Sequence, residues 1–172
     1  MTPSAPTQPP TPPALYLLDT NVLARLTEAR GPHFRQARRA VEELTKSGAT
    51  LCIAPQILIE FWSLATRPRS ENGLALPTAT ARAELAKHEG AFVLLPDRPE
   101  IFAQWKTLVS SFGVTGRDVH DTRLAAVALV YNIPYVLTFN GKDFRPFTPT
   151  GLKVIDPASV PPYSPPTGAA TP

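Results

Sequence analysis

Short apolar runs and longer amphipathic stretches alternate along the middle of this chain. Runs of four or five mostly apolar residues are typical of buried strands, and they lie at 15–18, 50–54, 92–95, 135–138 and 152–155. Apolar residues recurring every three or four positions predict helices at 22–26, 33–47, 55–66, 78–88, 99–112 and 119–131. Strands that alternate with helices predict an α/β fold around a parallel sheet.

Several acidic and amide side chains stand where an apolar pattern does not call for them. Asp19 directly follows the first strand, and Asn140 and Asp143 follow the fourth. Glu60 shares the apolar face of its helix, and Asp121 begins the most apolar helix. A carboxylate near a core is costly unless it is paired, protonated or bound to a cation. If these side chains meet at one sheet edge, they form a site for Mg²⁺ or Mn²⁺, which prefer oxygen ligands.

Each of these residues also has a purely structural interpretation, and the pattern alone leaves both open. Asp19 suits a helix cap, and Glu60 can lie on the flank of its helix with its carboxylate in water. Asp121 suits the first turn of a helix, where the helix dipole favours acids and Asp118 can act as the cap. The two polar residues after the fourth strand suit a turn. Their joint position, at the ends of two strands and on two helices, favours a common site.

Proline and charge divide the chain into a central domain and two tails. Of 21 prolines, six lie in residues 1–13 and six in 157–172, and all Lys, Arg, Asp and Glu lie between these segments. Uncharged Pro-rich sequence does not build a core, so we expect disordered tails at 1–13 and 157–172 and a folded domain at 14–156. The one cysteine excludes an internal disulfide, and neither a secretory signal nor an apolar membrane span is present. We therefore expect a cytoplasmic protein with no membrane partner.

The charge balance is mildly basic. The formal net charge is +3 and the sequence pI is about 9.2, which is compatible with a phosphate-rich partner. The candidate phosphate contacts are Arg25, Arg67, Arg117, Arg123, Lys142 and Arg145. For each of them a solvated surface position is the alternative interpretation.

Four sequence motifs together resemble those of the PIN-domain nucleases. LYLLDTNVLARL resembles the opening motif of that family, and IAPQILIEFWSLATRP resembles its second acidic motif. VHDTRLAAVALVYNIPYVLTFNGKDF resembles the third and fourth motifs run together. The stretch from Arg67 to Leu74 resembles a connector of bacterial VapC-type toxins. The resemblance spans residues 15–156.

The resemblance implies a compact α/β/α sandwich with a mostly parallel central sheet of about five strands. It matches Asp19, Glu60 and Asp121 to the first three acids of the family. The fourth acidic position falls on Asn140, and Asp143 is a further candidate ligand. Polar positions that line the family's pocket fall on Thr20, Asn21 and Thr138.

The function implied by the resemblance is metal-dependent hydrolysis of RNA phosphodiester bonds, with Mg²⁺ or Mn²⁺ as the cofactor. It further implies the toxin of a type II toxin–antitoxin pair, with a VapB-like antitoxin as partner and a homodimeric state. The alternative is a catalytically weak PIN-fold module that binds RNA or protein. A phosphoryl-transfer protein using Asp19 as acceptor is disfavoured, because Asn21 stands where a second Asp is needed. A dinucleotide-binding enzyme is disfavoured because no GxGxxG follows a strand.

Overall fold

A computed structural model describes residues 13–165 of the chain. Nearly all of the predicted N-terminal tail, residues 1–12, lies outside the described residues. Residues 166–172 of the predicted C-terminal tail lie outside them as well.

Five strands form one sheet in which every neighbouring pair is parallel. The strands are β1 (Leu15–Leu18), β2 (Thr50–Ile53), β3 (Val93–Leu94), β4 (Tyr135–Leu137) and β5 (Lys153–Ile155). Their spatial order is β3-β2-β1-β4-β5. The chain therefore adds β2 and β3 on one side of β1 and then crosses over to add β4 and β5 on the other side. The strand order reverses between the neighbours β1 and β4, which makes their carboxyl ends the topological switch point. The predicted α/β class and parallel sheet are confirmed.

Seven α-helices accompany these strands in the described part of the chain. They are α1 (Thr20–Thr27), α2 (Phe34–Lys46), α3 (Pro55–Thr66), α4 (Thr78–Ala91), α5 (Pro99–Phe112), α6 (Asp118–Val130) and α7 (Gly141–Phe144). One packed group contains α1 to α4 and another contains α5 to α7, and the helices flank the sheet as a sandwich requires. None of the helices described is both long and apolar enough to cross a membrane.

The core is apolar because a parallel sheet covered by helices is shielded on both faces. Leu17 and Leu18 in β1 and Val136 and Leu137 in β4 are completely buried. Phe61 on α3 is also completely buried, which explains the apolar periodicity of that helix. The buried core thus extends to the carboxyl ends of β1 and β4, whose last residues are Leu18 and Leu137.

Local structure differs from the predicted pattern at three places. α4 continues through Gly90 to Ala91, because Gly90 keeps helical backbone geometry instead of ending the helix. β3 is only two residues long, shorter than the predicted 92–95. A turn was the alternative interpretation of Asn140 and Asp143, but Gly141–Phe144 forms the short helix α7, whose residue Phe144 is completely buried.

The folded part also extends beyond the predicted boundary at residue 156. Arg39 on α2 donates to the carbonyl oxygens of Ala158 and Val160, at 3.2 and 2.9 Å. The backbone N–H of Tyr163 donates to Glu43 on the same helix, and Val160 is buried. Residues 157–163 therefore pack on α2, although their sequence lacks charge and is rich in proline.

Candidate active site

Asp19 lies at the switch point, directly after β1. Its backbone N–H donates to Leu137 O at the end of β4 (3.0 Å), so the two strand ends are tied together. Asp19 occupies the position before α1, yet its side chain makes no capping bond to that helix. Its Oδ2 instead accepts from Asn21 Nδ2 (2.6 Å) and Thr138 Oγ1 (2.7 Å). The structure therefore disfavours the simple helix-cap interpretation of Asp19.

Asn21 and Thr138 form a support beneath Asp19. Asn21 Nδ2 also donates to Thr138 Oγ1 (3.0 Å), while Asn21 Oδ1 accepts from the backbone N–H of Phe139 (3.1 Å). Thr138 Oγ1 accepts from the backbone N–H of Asn140 (2.9 Å). These bonds hold the carboxylate of Asp19 in one orientation at the end of the sheet.

Glu60 projects from α3 toward the N-terminal turn of α1. Thr20 Oγ1 donates to Glu60 Oε2 (2.8 Å), and Gln56 Nε2 donates to Glu60 Oε1 (2.7 Å). Both carboxylate oxygens therefore have a protein donor, and Glu60 does not simply extend into water. Thr20, predicted to line the pocket, contacts Glu60, whereas Asn21 and Thr138 contact Asp19.

Asp121 lies in the first turn of α6 and is partly buried. Asp118, the predicted cap, is the first residue of that helix, and Arg117 occupies the cap position before it. Burial raises the pKa of Asp121 to about 7, and the carboxylates of Asp19, Asp143 and Glu60 contribute to the rise. This acid is thus destabilised as an anion by its surroundings.

The same electrostatic strain affects Asp19, which is 6% exposed. Burial raises its pKa to about 6, against the lowering effect of the hydrogen bond from Thr138, and Glu60 and Asp143 add to the rise. Two acids with raised pKa values in one cleft favour a bound cation, which offsets both desolvation and mutual repulsion.

Asn140 and Asp143 lie beside each other at the start of α7. Asn140 Nδ2 donates to Asp143 Oδ2, and Asn140 is exposed at the mouth of the cleft. The amide nitrogen of Asn140 is thus directed to Asp143. This arrangement keeps both predicted residues at the site while pairing them with each other.

The predicted residues surround one open cleft of about 770 Å³. Asp19, Thr20, Asn21, Glu60, Asp121, Asn140 and Asp143 all line it. Thr138 supports the cleft from beneath and lines the adjoining cavity beside Asn140. The sequence therefore identified residues from separate elements that the fold brings to one edge of the sheet.

The oxygen ligands of this cleft fit a hard divalent cation such as Mg²⁺ or Mn²⁺. Across residues 13–165, no three His, Cys, Asp or Glu side chains converge closely enough to hold one ion together. Glu60 already has a donor on each oxygen, whereas no side-chain donor contacts Asp121 in the described chain. Mg²⁺ commonly takes one or two carboxylates and keeps several waters, so Asp19 and Asp121 match that binding mode.

The six candidate phosphate contacts divide into two groups. Arg67, Arg117 and Lys142 line the cleft, and Arg145 lines the adjoining cavity. Arg25 instead pairs with Glu28 at 3.5 Å. Arg123 donates to Asp97 (2.8 Å) and to Gln56 (3.0 Å). Only the first group is placed to contact a substrate.

Gln56, which is buried and contacts Glu60, was not among the site residues predicted from the sequence. Its spacing of four residues from Glu60 on a helix was the available signal, because side chains at that spacing lie on one helix face. His120, an exposed residue of the cleft wall, contributes its backbone carbonyl to the same network (2.9 Å from Gln56 Nε2).

Comparisons with known proteins give one family and a consistent set of folds. The PIN domain family model matches residues 16–146. The structure of VapBC2 from Rickettsia felis bound to a promoter DNA fragment is similar, with a TM-score of 0.61 and 16% identity, covering 83% of this chain and 98% of that one. The structure of VapBC-1 from nontypeable Haemophilus influenzae is also similar, with a TM-score of 0.61 and 17% identity, covering 83% of this chain and 98% of that one.

A third similar structure is VapC20 of Mycobacterium tuberculosis, described as a Sarcin-Ricin loop cleaving toxin. Its TM-score is 0.56 at 19% identity, and the match covers 80% of this chain and 96% of that one. At such identities these structures establish the fold. No curated protein sequence matches this chain significantly.

Proposed function

The chain belongs to the PIN domain family, and on that premise we propose that it is a metal-dependent endoribonuclease that hydrolyses RNA phosphodiester bonds. One observation carries the proposal. Asp19 and Asp121, both with raised pKa values, share an oxygen-lined cleft with Glu60 at the topological switch point. Open α/β sheets bind their ligands at this position.

In this proposal Asp19 and Asp121 would hold the ion together with several waters, and Asn140 and Asp143 would act through those waters. A divalent ion supplies Lewis-acid activation of a phosphate oxygen and of water. Asn21 and Thr138 keep the Asp19 carboxylate oriented through the bonds at 2.6 and 2.7 Å.

Glu60 is the proposed general base. Its carboxylate, held by Thr20, accepts a proton from the attacking water while the water oxygen bonds to phosphorus. The bond from phosphorus to the 3′-oxygen breaks, and that oxygen takes up a proton to become a hydroxyl. The products are a 5′-phosphate and a 3′-hydroxyl.

Substrate binding is assigned to the cations around the cleft. Arg67, Arg117 and Lys142 lie on its wall, where they can neutralise the phosphates that flank the reacting one. This arrangement suits RNA, which is a polyanion. The metal ion at the acidic centre would bind the reacting phosphate, and the basic side chains would bind the phosphates on either side of it. We propose a cytoplasmic protein on the basis of this substrate.

We further propose that the chain is the toxin of a toxin–antitoxin pair. The support is its likeness to structures described as VapBC, together with VapC20, described as a cleaving toxin. The partner is then a VapB-like antitoxin, and the toxin forms a homodimer. A cationic side chain from the antitoxin would be attracted to the acids of the cleft and would block it.

The second candidate function is a catalytically weak PIN-fold module that binds RNA or protein. The observation in its favour is Asn140, a neutral residue at the fourth acidic position, whose amide is paired with Asp143. The same experiment distinguishes the two.

That experiment is cleavage of a mixed RNA pool by the purified chain, free of copurified partner, with Mg²⁺, with Mn²⁺ and with EDTA. We expect metal-dependent cleavage that is lost in Asp19→Ala and Asp121→Ala, whereas Glu71→Ala, at an exposed position outside the cleft, retains it. Folded variants that cleave at the wild-type rate would refute the site assignment. A folded wild type that binds RNA without cleaving it would favour the binding module.

A further inference from the structure

Gln56 is a buried residue whose side-chain amide is fully hydrogen-bonded next to Glu60. It lies in the first turn of α3, one turn before Glu60. Its Nε2 donates to Glu60 Oε1 (2.7 Å) and to the carbonyl oxygen of His120 (2.9 Å). Its Oε1 accepts from Arg123 Nη1 (3.0 Å). Both donor hydrogens and the acceptor are therefore used.

This network permits only one orientation of the amide. Rotating it by half a turn would place Oε1 against the Glu60 carboxylate and the His120 carbonyl, which are both acceptors. It would also place Nε2 against the guanidinium of Arg123, which only donates. The orientation of Gln56 is consequently determined by the groups on both sides.

Arg123 on α6 is itself held from the far side. Its Nη2 donates to Asp97 Oδ1 at 2.8 Å, while Nη1 contacts Gln56. The Arg123 side chain is 32% exposed and that of Asp97 is 54% exposed, so the chain of contacts runs from the surface to the cleft. A charged donor bonded on two sides is well defined in position.

We infer that Gln56, oriented by Arg123, is a positioning residue that holds the Glu60 carboxylate in the cleft. Thr20 holds the other oxygen of Glu60, so the two donors together prevent rotation of the carboxylate. The role of Gln56 in RNA cleavage rests on the proposed function, whereas its hydrogen bond to Glu60 does not. Arg123, a candidate phosphate contact by sequence, is assigned here to orienting Gln56.

The first test needs no activity. It measures the side-chain amide resonances of Gln56 by nuclear magnetic resonance in the metal-free protein, with the exposed Gln36 as internal reference. We expect the Gln56 protons to exchange with solvent more slowly than those of Gln36. In Glu60→Ala the proton that faces Glu60 should lose its slow exchange, whereas the proton bonded to the His120 carbonyl should keep it. In Arg123→Met, which removes the bond that orients the amide, both protons should exchange faster. Gln56 protons that exchange like those of Gln36 in the wild type would overturn the inference.

The second test is a kinetic cycle with Gln56→Met, which keeps the length of the side chain and removes its hydrogen bonds. We expect kcat for RNA cleavage to fall about 10- to 100-fold with little change in KM, the effect typical of groups that orient a functional side chain. In a Glu60→Ala background the same change should lower kcat no further. An equal loss in both backgrounds would mean that Gln56 acts on the fold and not on Glu60.

Two controls keep these tests decisive. Thr27→Val removes the bonds of a partly buried hydroxyl to His88 and Leu23 at the far end of α1, and it should leave kcat unchanged. If Gln56→Met fails to fold, Arg123→Met replaces it in the kinetic cycle. Arg123→Met should lower kcat by a smaller factor, and it should do so only where Glu60 is present. If the wild type cleaves no RNA, the proposed function fails, while the resonance experiment still decides the contact between Gln56 and Glu60.

Discussion

Replacing Asp121 by Asn is expected to stabilise the metal-free protein at alkaline pH. The folded-state pKa of Asp121 is raised from 3.8 to about 7, so the folded state binds a proton more tightly than the unfolded chain does. The stability that this proton contributes is complete below about pH 4 and is lost as the pH rises to about 7. Above that pH the wild type retains a poorly solvated anion, whereas the variant carries a neutral amide of nearly the same shape at this position.

The expected gain follows from the size of the shift. A rise in the pKa from 3.8 to about 7 corresponds to about 4 kcal/mol for a fully buried group. Asp121 is only partly buried, and solvent screening reduces the expected gain to about 1–2 kcal/mol. For a chain of this size, that gain raises the Tm by about 2–8 °C.

The assay is urea denaturation in EDTA at a series of pH values from 4 to 8. The matched control is Glu71→Gln, which removes one negative charge at an exposed position, so its effect should not vary in the same way with pH. Saturating Mg²⁺ should stabilise the wild type more than Asp121→Asn and so reduce the difference between their free energies of unfolding. A variant no more stable than the wild type at pH 8, or a gain that persists at pH 4, would refute the electrostatic argument.

Three further outcomes follow from the described contacts. Thr138→Val removes the donor to Asp19 Oδ2, so calorimetry should give Mn²⁺ binding about tenfold weaker; unchanged affinity would contradict the support role. Phe61→Ala should lower the free energy of unfolding by about 3–5 kcal/mol, because the ring is completely buried, and a loss below about 1 kcal/mol in urea would contradict that burial. Arg117→Gln should weaken binding of single-stranded RNA and lower the slope of log affinity against log salt concentration by about one phosphate contact. Arg35→Gln, at an exposed position on α2, should do neither, and equal slopes for wild type and Arg117→Gln would exclude Arg117 from the RNA contact.

Much of the fold could be predicted because it depends on local chemistry. The apolar runs that became β1 and β4 are nearly continuous, as expected for strands shielded on both faces. Gly113 ends α5 with a φ of 62°, a left-handed conformation that glycine adopts without steric cost. Gly90 shows the limit of the same signal, since a glycine permits a helix end without requiring one.

The chain after β5 shows a second limit. Proline content and absence of charge predicted a tail from residue 157, yet Val160 is buried and its carbonyl accepts from Arg39. The donor is more than a hundred residues away in sequence, so composition alone contains no sign of the contact.

By itself, the sequence determined which acids are out of place in an apolar pattern, namely Asp19, Glu60 and Asp121, because solvation makes a carboxylate beside a core costly wherever the chain runs. Only the tertiary structure decided how those acids are held. The bonds from Thr138 to Asp19 and from Arg123 to Gln56 join residues 119 and 67 positions apart. Hydrogen bonds act over about 3 Å, so such partners exist only once the sheet has brought β1 and β4 together and α6 has come within hydrogen-bond reach of Gln56 on α3.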